Sequence, residues 1–112
     1  MSVSYKRIIP GSVMTGAPVV YYTAPTGTVS RQALVQRLII NNTTGGAVAI
    51  KVFIVPVGGA AGAANTIINQ PALAANGTYV GWEAEGMTLQ PGETIQAQGN
   101  GASIMASGNE IS

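Results

Sequence analysis

No segment of this chain keeps apolar residues at i, i+3, i+4 and i+7 without meeting Gly, Pro or a β-branched residue, so helix signals are absent. Short runs rich in Val, Ile, Thr and Tyr recur instead, each closed by turn chemistry. The spacing predicts strands near 3–9, 18–24, 31–41, 47–56, 64–69, 77–83, 93–98 and 102–107. Between them lie Pro25-Thr26-Gly27, residues 41–46, the Gly/Ala-rich stretch 58–64, Asn76-Gly77, Pro91-Gly92 and Gly99-Asn100-Gly101. About eight short strands at this spacing predict an all-β fold, an antiparallel β-sandwich that is jelly-roll-like or immunoglobulin-like.

Alternation assigns the faces. In 47-AVAIKVFIV-55, Val48, Ile50, Val52 and Ile54 share one face and read as core, while Ala47, Ala49, Lys51, Phe53 and Val55 share the other. In 31-RQALVQRLIIN-41, Leu34, Gln36, Leu38 and Ile40 form one face and Val35, Arg37 and Ile39 the other. Strands that are apolar on both faces belong either at the centre of a sheet or at an interface, and the pattern alone leaves both open. Pro91 and Gly92 suit the central positions of a type II turn. The strands around Gly99-Asn100-Gly101 alternate Ile95, Ala97, Ile104 and Ala106 with polar residues and Met, as half-buried strands do.

The 112 residues fit one domain. Charge is what sets the chain apart: five basic and four acidic residues make up 8% of it, against about 25% in ordinary soluble domains. So few charges cannot cover a free monomer, which predicts a surface of Ser, Thr, Asn, Gln, Gly and Ala, or one covered by copies of the chain or a larger assembly. A net charge of +1 gives no reason to invoke nucleic acid or an anionic membrane. Cysteine is absent, so no disulfide or thiol chemistry arises. Residues 1–16 make a poor export signal because Pro10, Gly11 and Ser12 cut the apolar run short, and no apolar stretch reaches membrane-spanning length. The chain is expected to be soluble and not exported.

Catalysis is disfavoured by what is missing. The chain has no His, no Cys and no Asp, so neither a Ser–His–Asp triad nor a zinc site can be built, and no cofactor or metal is expected. Glu83 and Glu85 in 82-WEAEG-86 would share one face if they lay on a strand, a spacing that serves glycoside hydrolysis or calcium. A solvated strand edge is the simpler reading. Lys6 and Arg7 are too few for a nucleic-acid arm. Tyr22, Phe53, Tyr79 and Trp82 read as core or as a protein contact rather than a stacking platform. The run Gly58-Gly59-Ala60-Ala61-Gly62 lacks the Lys-Ser/Thr ending of a phosphate loop and reads as a low-profile crossing over one end of the sandwich. Asn42-Thr43-Thr44 and Asn76-Gly77-Thr78 match glycosylation acceptors, which mean little without an export signal.

Over residues 18–112 the order of elements resembles a group of small virion proteins of tailed bacteriophages. The likeness rests on an aromatic–Thr-x-Pro-x-Gly opening, a strand ending in Asn-x-x-Gly and a strand ending in Val-Pro-x-Gly-Gly. It continues with Leu-x-Pro-Gly-Glu/Asp-x-Ile, with Glu93 at the acidic position here, and a closing Ser-Gly-x-Glu-x. The resemblance implies a β-sandwich structural component of a particle: a capsid decoration (cement) protein on the outside of the head, or a tail, neck or fibre-attachment component. It implies synthesis in the bacterial host cytoplasm and residence in the virion. The implied partners are the chain itself, with a trimer favoured, and other virion proteins such as the major capsid protein. It carries over no catalytic or ligand residue, and a carbohydrate-binding module remains an alternative outside this class. On this reading residues 18–112 form the sandwich. Residues 1–17 form an N-terminal segment, broken from the sandwich at Pro10-Gly11, that pairs with a neighbour or serves as an ordinary first strand. The candidate assembly contacts are Tyr5, Lys6, Arg7, Ile8, Ile9, Val35, Arg37, Ile39, Phe53 and Val55.

Overall fold

The computed structural model describes residues 3–26 and 32–111. The predicted turn at Gly27 and the start of the third strand at Arg31 lie outside these residues. Nine strands follow in order: β1 (Val3–Val13), β2 (Val19–Thr23), β3 (Gln32–Asn41), β4 (Val48–Val55), β5 (Thr66–Leu73), β6 (Thr78–Val80), β7 (Thr88–Leu89), β8 (Thr94–Gln98) and β9 (Ser103–Ile111). Single 3-10 turns occupy Ala63–Asn65 and Trp82–Ala84, and no α-helix occurs among the described residues.

The strands form two antiparallel sheets. One runs β1-β9-β3-β6 with β7 also on β3, and the other runs β2-β8-β4-β5. The pairing is nested: β1 with β9, β2 with β8, β3 with β6 and β7, and β4 with β5. An antiparallel ribbon folded over on itself gives this order, so of the two expected sandwiches the chain forms the jelly roll. Both inner faces supply the core, with Ile9, Leu38, Ile40 and Ile104 from one sheet against Ile50 and Ile95 from the other, all at 1% exposure or less.

Two expectations fail at Pro10-Gly11 and at 82–86. β1 does not break at Pro10; it runs on to Val13 along β9. Pro10 sits on an edge strand, where a missing N–H is tolerated, and Gly11 takes a φ of 121° that favours glycine. Of the two roles left open for this segment, its described residues up to Val13 take that of a first strand, at the edge of the chain's own sheet. The 82-WEAEG-86 stretch is not a strand either. Trp82–Ala84 is a 3-10 turn that leaves β6 and returns as β7, so Glu83 and Glu85 do not share a strand face.

Local polar clips hold the loops. Asn42 is 1% exposed. Its Nδ2 donates to Gly46 O at 2.8 Å, Leu73 O at 2.9 Å and Ala74 O at 3.1 Å. Its Oδ1 accepts from Thr44 N at 3.0 Å and Thr44 Oγ1 at 2.6 Å. One amide thus ties the β3–β4 turn to the end of β5. In the Gly/Ala stretch, Asn65 Nδ2 donates to Ala60 O at 2.9 Å and Gly62 N donates to Asn65 Oδ1 at 2.9 Å, so a side chain beyond the glycines fixes the loop.

Candidate assembly face on the five-stranded sheet

The geometry of the candidate site turns on one glycine. β9 lies between β1 and β3, and both neighbours slip register at the same place. Opposite β9, Lys6 pairs with Gly108 and Ile9 with Ala106, so Arg7 and Ile8 together face Ser107. On the other side Val35 pairs with Gly108 and Arg37 with Ser107, which leaves Gln36 as the extra residue. A Cβ on Gly108 would lie 2.2 Å from Leu34 O and 3.4 Å from Ile8 Cδ1. Only a residue without Cβ lets the two bulges close on β9 together.

These bulges reverse the faces read from simple alternation, because a one-residue slip exchanges the sides of a strand. Ala33 and Val35 point into the core before the bulge, and Leu38 and Ile40 after it, while Gln36 and Arg37 are both exposed. Val35 at 1% exposure is therefore core and does not share a face with Arg37. On β1 the same device buries both Ile8 and Ile9 and leaves Arg7 exposed.

Of the ten candidate contacts, four are brought to the outer face of this sheet. Register places Tyr5 beside Asn109 and Leu34, Arg7 and Arg37 on either side of Ser107, and Met105 beside Ile39 and then Val80. Val13, beside Ser103, completes the face at its far end. Tyr5 is 76% exposed, Val13 69% and Met105 40%, with Ile39 and Val80 half-buried. Arg7 and Arg37 are the only charges in these rows. Asn109 is buried here with its Oδ1 lacking a hydrogen-bond partner among the described residues. Met105 could have been read from the alternation of β9, but Val13 lay beyond the expected break at Pro10.

The other six go elsewhere. Ile8, Ile9 and Val35 are core. Lys6 pairs with Glu110 at 3.2 Å, and Glu110 also accepts from Tyr22 Oη of the opposite sheet, tying together the two sheets at their β1/β2 side. Burial first, and then the bonded Glu110 carboxylate, raise the Tyr22 hydroxyl above its ordinary range. Phe53 and Val55 stand opposite Gln96 and Thr94, away from the core-facing Val52 and Ile54, yet both are buried. The 3-10 turn at Ala63–Asn65 packs against β4.

Aromatic and acidic groups gather at the flank where β6 turns into β7. Trp82 is 69% exposed, so it is not core. Tyr79 Oη donates to the Glu83 carboxylate at 2.5 and 2.6 Å. Burial, reinforced by that carboxylate, pushes the Tyr79 hydroxyl up to about 12. At one end of the sandwich a concavity of about 300 Å³ is lined by Gly16, Ala47, Val48, Ala49, Gln98, Gly99 and Asn100, none of them ionisable. No group of three or more metal-ligating side chains occurs among the described residues.

No protein-family model matches the chain and no curated protein matches it. Among solved structures it is similar to chains of infectious bursal disease virus. One belongs to that virus's icosahedral particle, with 9% identity and a TM-score of 0.44, over 97% of this chain and 30% of that one. Another comes from the Gx strain, with 10% identity and a TM-score of 0.43, over 97% and 31%. A third is a mutant VP2 protein from derived T=1 particles, with 12% identity and a TM-score of 0.41, over 97% and 30%. The chain spans less than a third of the length of these proteins, and at this level of identity the likeness transfers no residue and no role.

Proposed function

We propose that this chain is a non-enzymatic structural component of a bacteriophage virion, a capsid decoration protein that binds the outside of the head and stabilises it. It associates with itself and with the major capsid protein, and a trimer is the favoured form. The observation that carries this reading is the outer face of the five-stranded sheet. Tyr5, Val13 and Met105 stand exposed there around Arg7 and Arg37, in a chain with only nine charged residues. Exposed large apolar side chains gathered with arginines on one sheet face are what an interaction site presents. The resemblance of the turn pattern to small tailed-phage virion proteins supplies the setting. β1 takes part through its outward residues, because Ile8 and Ile9 are already committed to its own core.

The test is to look for the chain in purified particles of its phage and to locate its density in a reconstruction. Density outside the head supports decoration. Density at a neck, tail or fibre attachment moves the protein to that runner-up role. Absence from purified particles overturns both. A second reading, a carbohydrate-binding module, draws on the exposed Trp82 beside Tyr79 and Glu83. It stands only if a glycan array gives binding that Trp82→Ala abolishes.

A further inference from the structure

Two neighbouring parts of the described surface differ in the charge they present. Arg7 and Arg37 lie side by side across Ser107 on the outer face of the five-stranded sheet, both exposed. The one ion pair found among the described residues is Lys6–Glu110, so no carboxylate there neutralises either arginine. Exposed acid sits instead at the 3-10 turn Trp82–Ala84, on the flank where the turn packs against β3 and β5. Glu83 is held there by Tyr79 Oη, and Trp82 projects beside it at 69% exposure. One patch thus has cations, tyrosine and methionine with no acid in ion-pair contact, although the 81–86 turn adjoins it, bonded to Leu38 O and Val35 O on either side of Arg37. The other has acid and an exposed tryptophan, with no cation in ion-pair contact among the described residues.

We infer that a second copy of this chain is the occupant of the outer face, docked head to tail: the Trp82–Glu83 flank of one copy on the Tyr5/Arg7/Arg37/Met105 face of the next. The inference rests on the assembling role proposed above and specifies the contact. A two-fold, face-to-face arrangement centred on the Arg7–Ser107–Arg37 row would set Arg7 and Arg37 against the same arginines with no acid between them, and like charges across an interface cost several kcal/mol. Docking flank on face pairs opposite charges and uses two different patches, which makes the contact heterologous and able to close into a ring. Trp, Tyr and Arg are the residue types that dominate binding energy in such contacts.

Sedimentation equilibrium of the full chain tests this, with thermal melts to establish that each variant is folded. The wild type is expected to associate. Arg37→Glu and Glu83→Arg should each weaken association about tenfold or more, equivalent to ~1.4 kcal/mol, and the double reversal should restore most of the loss. Trp82→Ala should weaken it without lowering the melting temperature. A wild type that stays monomeric overturns the inference. So does a double reversal as weak as its parents, or an Arg37→Glu variant that associates more tightly, as a two-fold contact predicts. A chain that is monomeric yet present in purified particles sinks this contact and spares the proposed role. Absence from particles sinks the role whatever the sedimentation shows.

Discussion

Asn42 is the buried polar side chain that ties the β3–β4 turn to the end of β5. Replacing it with Ala removes two acceptor contacts to Thr44 and three donor contacts to Gly46, Leu73 and Ala74. Two amide hydrogens serve three carbonyls, so the longest contact, to Ala74 O at 3.1 Å, counts for little. Four bonds remain, each contributing about 1 kcal/mol net. Water can replace the partner at Thr44 and Gly46, which lie near the surface, but not readily at Leu73 O, where the bond is buried. The expected loss is about 3 kcal/mol, or roughly 12 °C in Tm at ~4 °C per kcal/mol for a domain of this size.

Urea and thermal unfolding of Asn42→Ala and Asn42→Asp measure it. The Asp variant keeps the shape but aims a carboxylate at carbonyl oxygens, so its folded pKa is raised above the unfolded value. Its penalty should be absent well below the unfolded pKa of about 4 and should grow as pH rises through the folded value. A loss below about 1 kcal/mol for the Ala variant would refute the claim that this amide organises the loops, since that is the scale of a single ordinary hydrogen bond. An Asp variant as stable as wild type at neutral pH would refute the carbonyl cage.

Gly108→Ala should be among the most damaging single-atom additions, costing about 3 kcal/mol or more, because the new Cβ meets backbone 2.2 Å away and β9 cannot retreat from both neighbours. Phe53→Ala should cost about 3–5 kcal/mol in denaturant melts although Phe53 lies off the main core, because it is 4% exposed. Above pH 10 the fold should weaken. The Tyr79 hydroxyl is raised from 10.0 to about 12, so its contribution is complete below pH 10 and is lost as pH climbs to 12. Tyr79→Phe should flatten that part of the Tm–pH curve. Melts with and without chelator should overlay, because the chain has no His, Cys or Asp; a large drop with chelator would contradict this.

The sandwich was legible because strand period and turn residues are local signals, and eight of the nine strands follow from them. β7 escaped because two residues, Thr88 and Leu89, carry no period. The candidate face was only half legible. Tyr5, Arg7, Arg37 and Ile39 could be picked out as residues on the wrong side of otherwise apolar strands. That 5–9 and 35–39 meet on the two sides of β9 is a matter of jelly-roll pairing, which no local pattern encodes. The error over Val35 has a specific cause: strict alternation assumes an unbroken register, and one extra residue at Gln36 exchanges the faces. A signal was present in the glycine inside 103-SIMASGNEI-111, since an isolated glycine within a strand marks a bulge or a close backbone approach.

That glycine links the fold to the proposed contact. With regular ladders on both sides of β9, Val35 and Arg37 would stay on one face, and Ile8 and Ile9 could not both enter the core. The paired bulges send Ile8, Ile9 and Val35 inward and leave Arg7 and Arg37 outside at the same level of the sheet. The added core burial stabilises the edge strand, about 1.5–3 kcal/mol for each large apolar side chain. The same slips place two cations together in a chain that has few. Acid does not follow them to that face, because Glu110 is taken up by Lys6 and Tyr22, and Glu83 sits on the flank. A sheet with scattered charge of both signs would repel or tolerate neighbours without preference. One whose arginines stand on the face and whose exposed carboxylate stands on the adjoining edge, unpaired with them, favours a neighbour turned so that edge meets face, which is the condition for head-to-tail assembly.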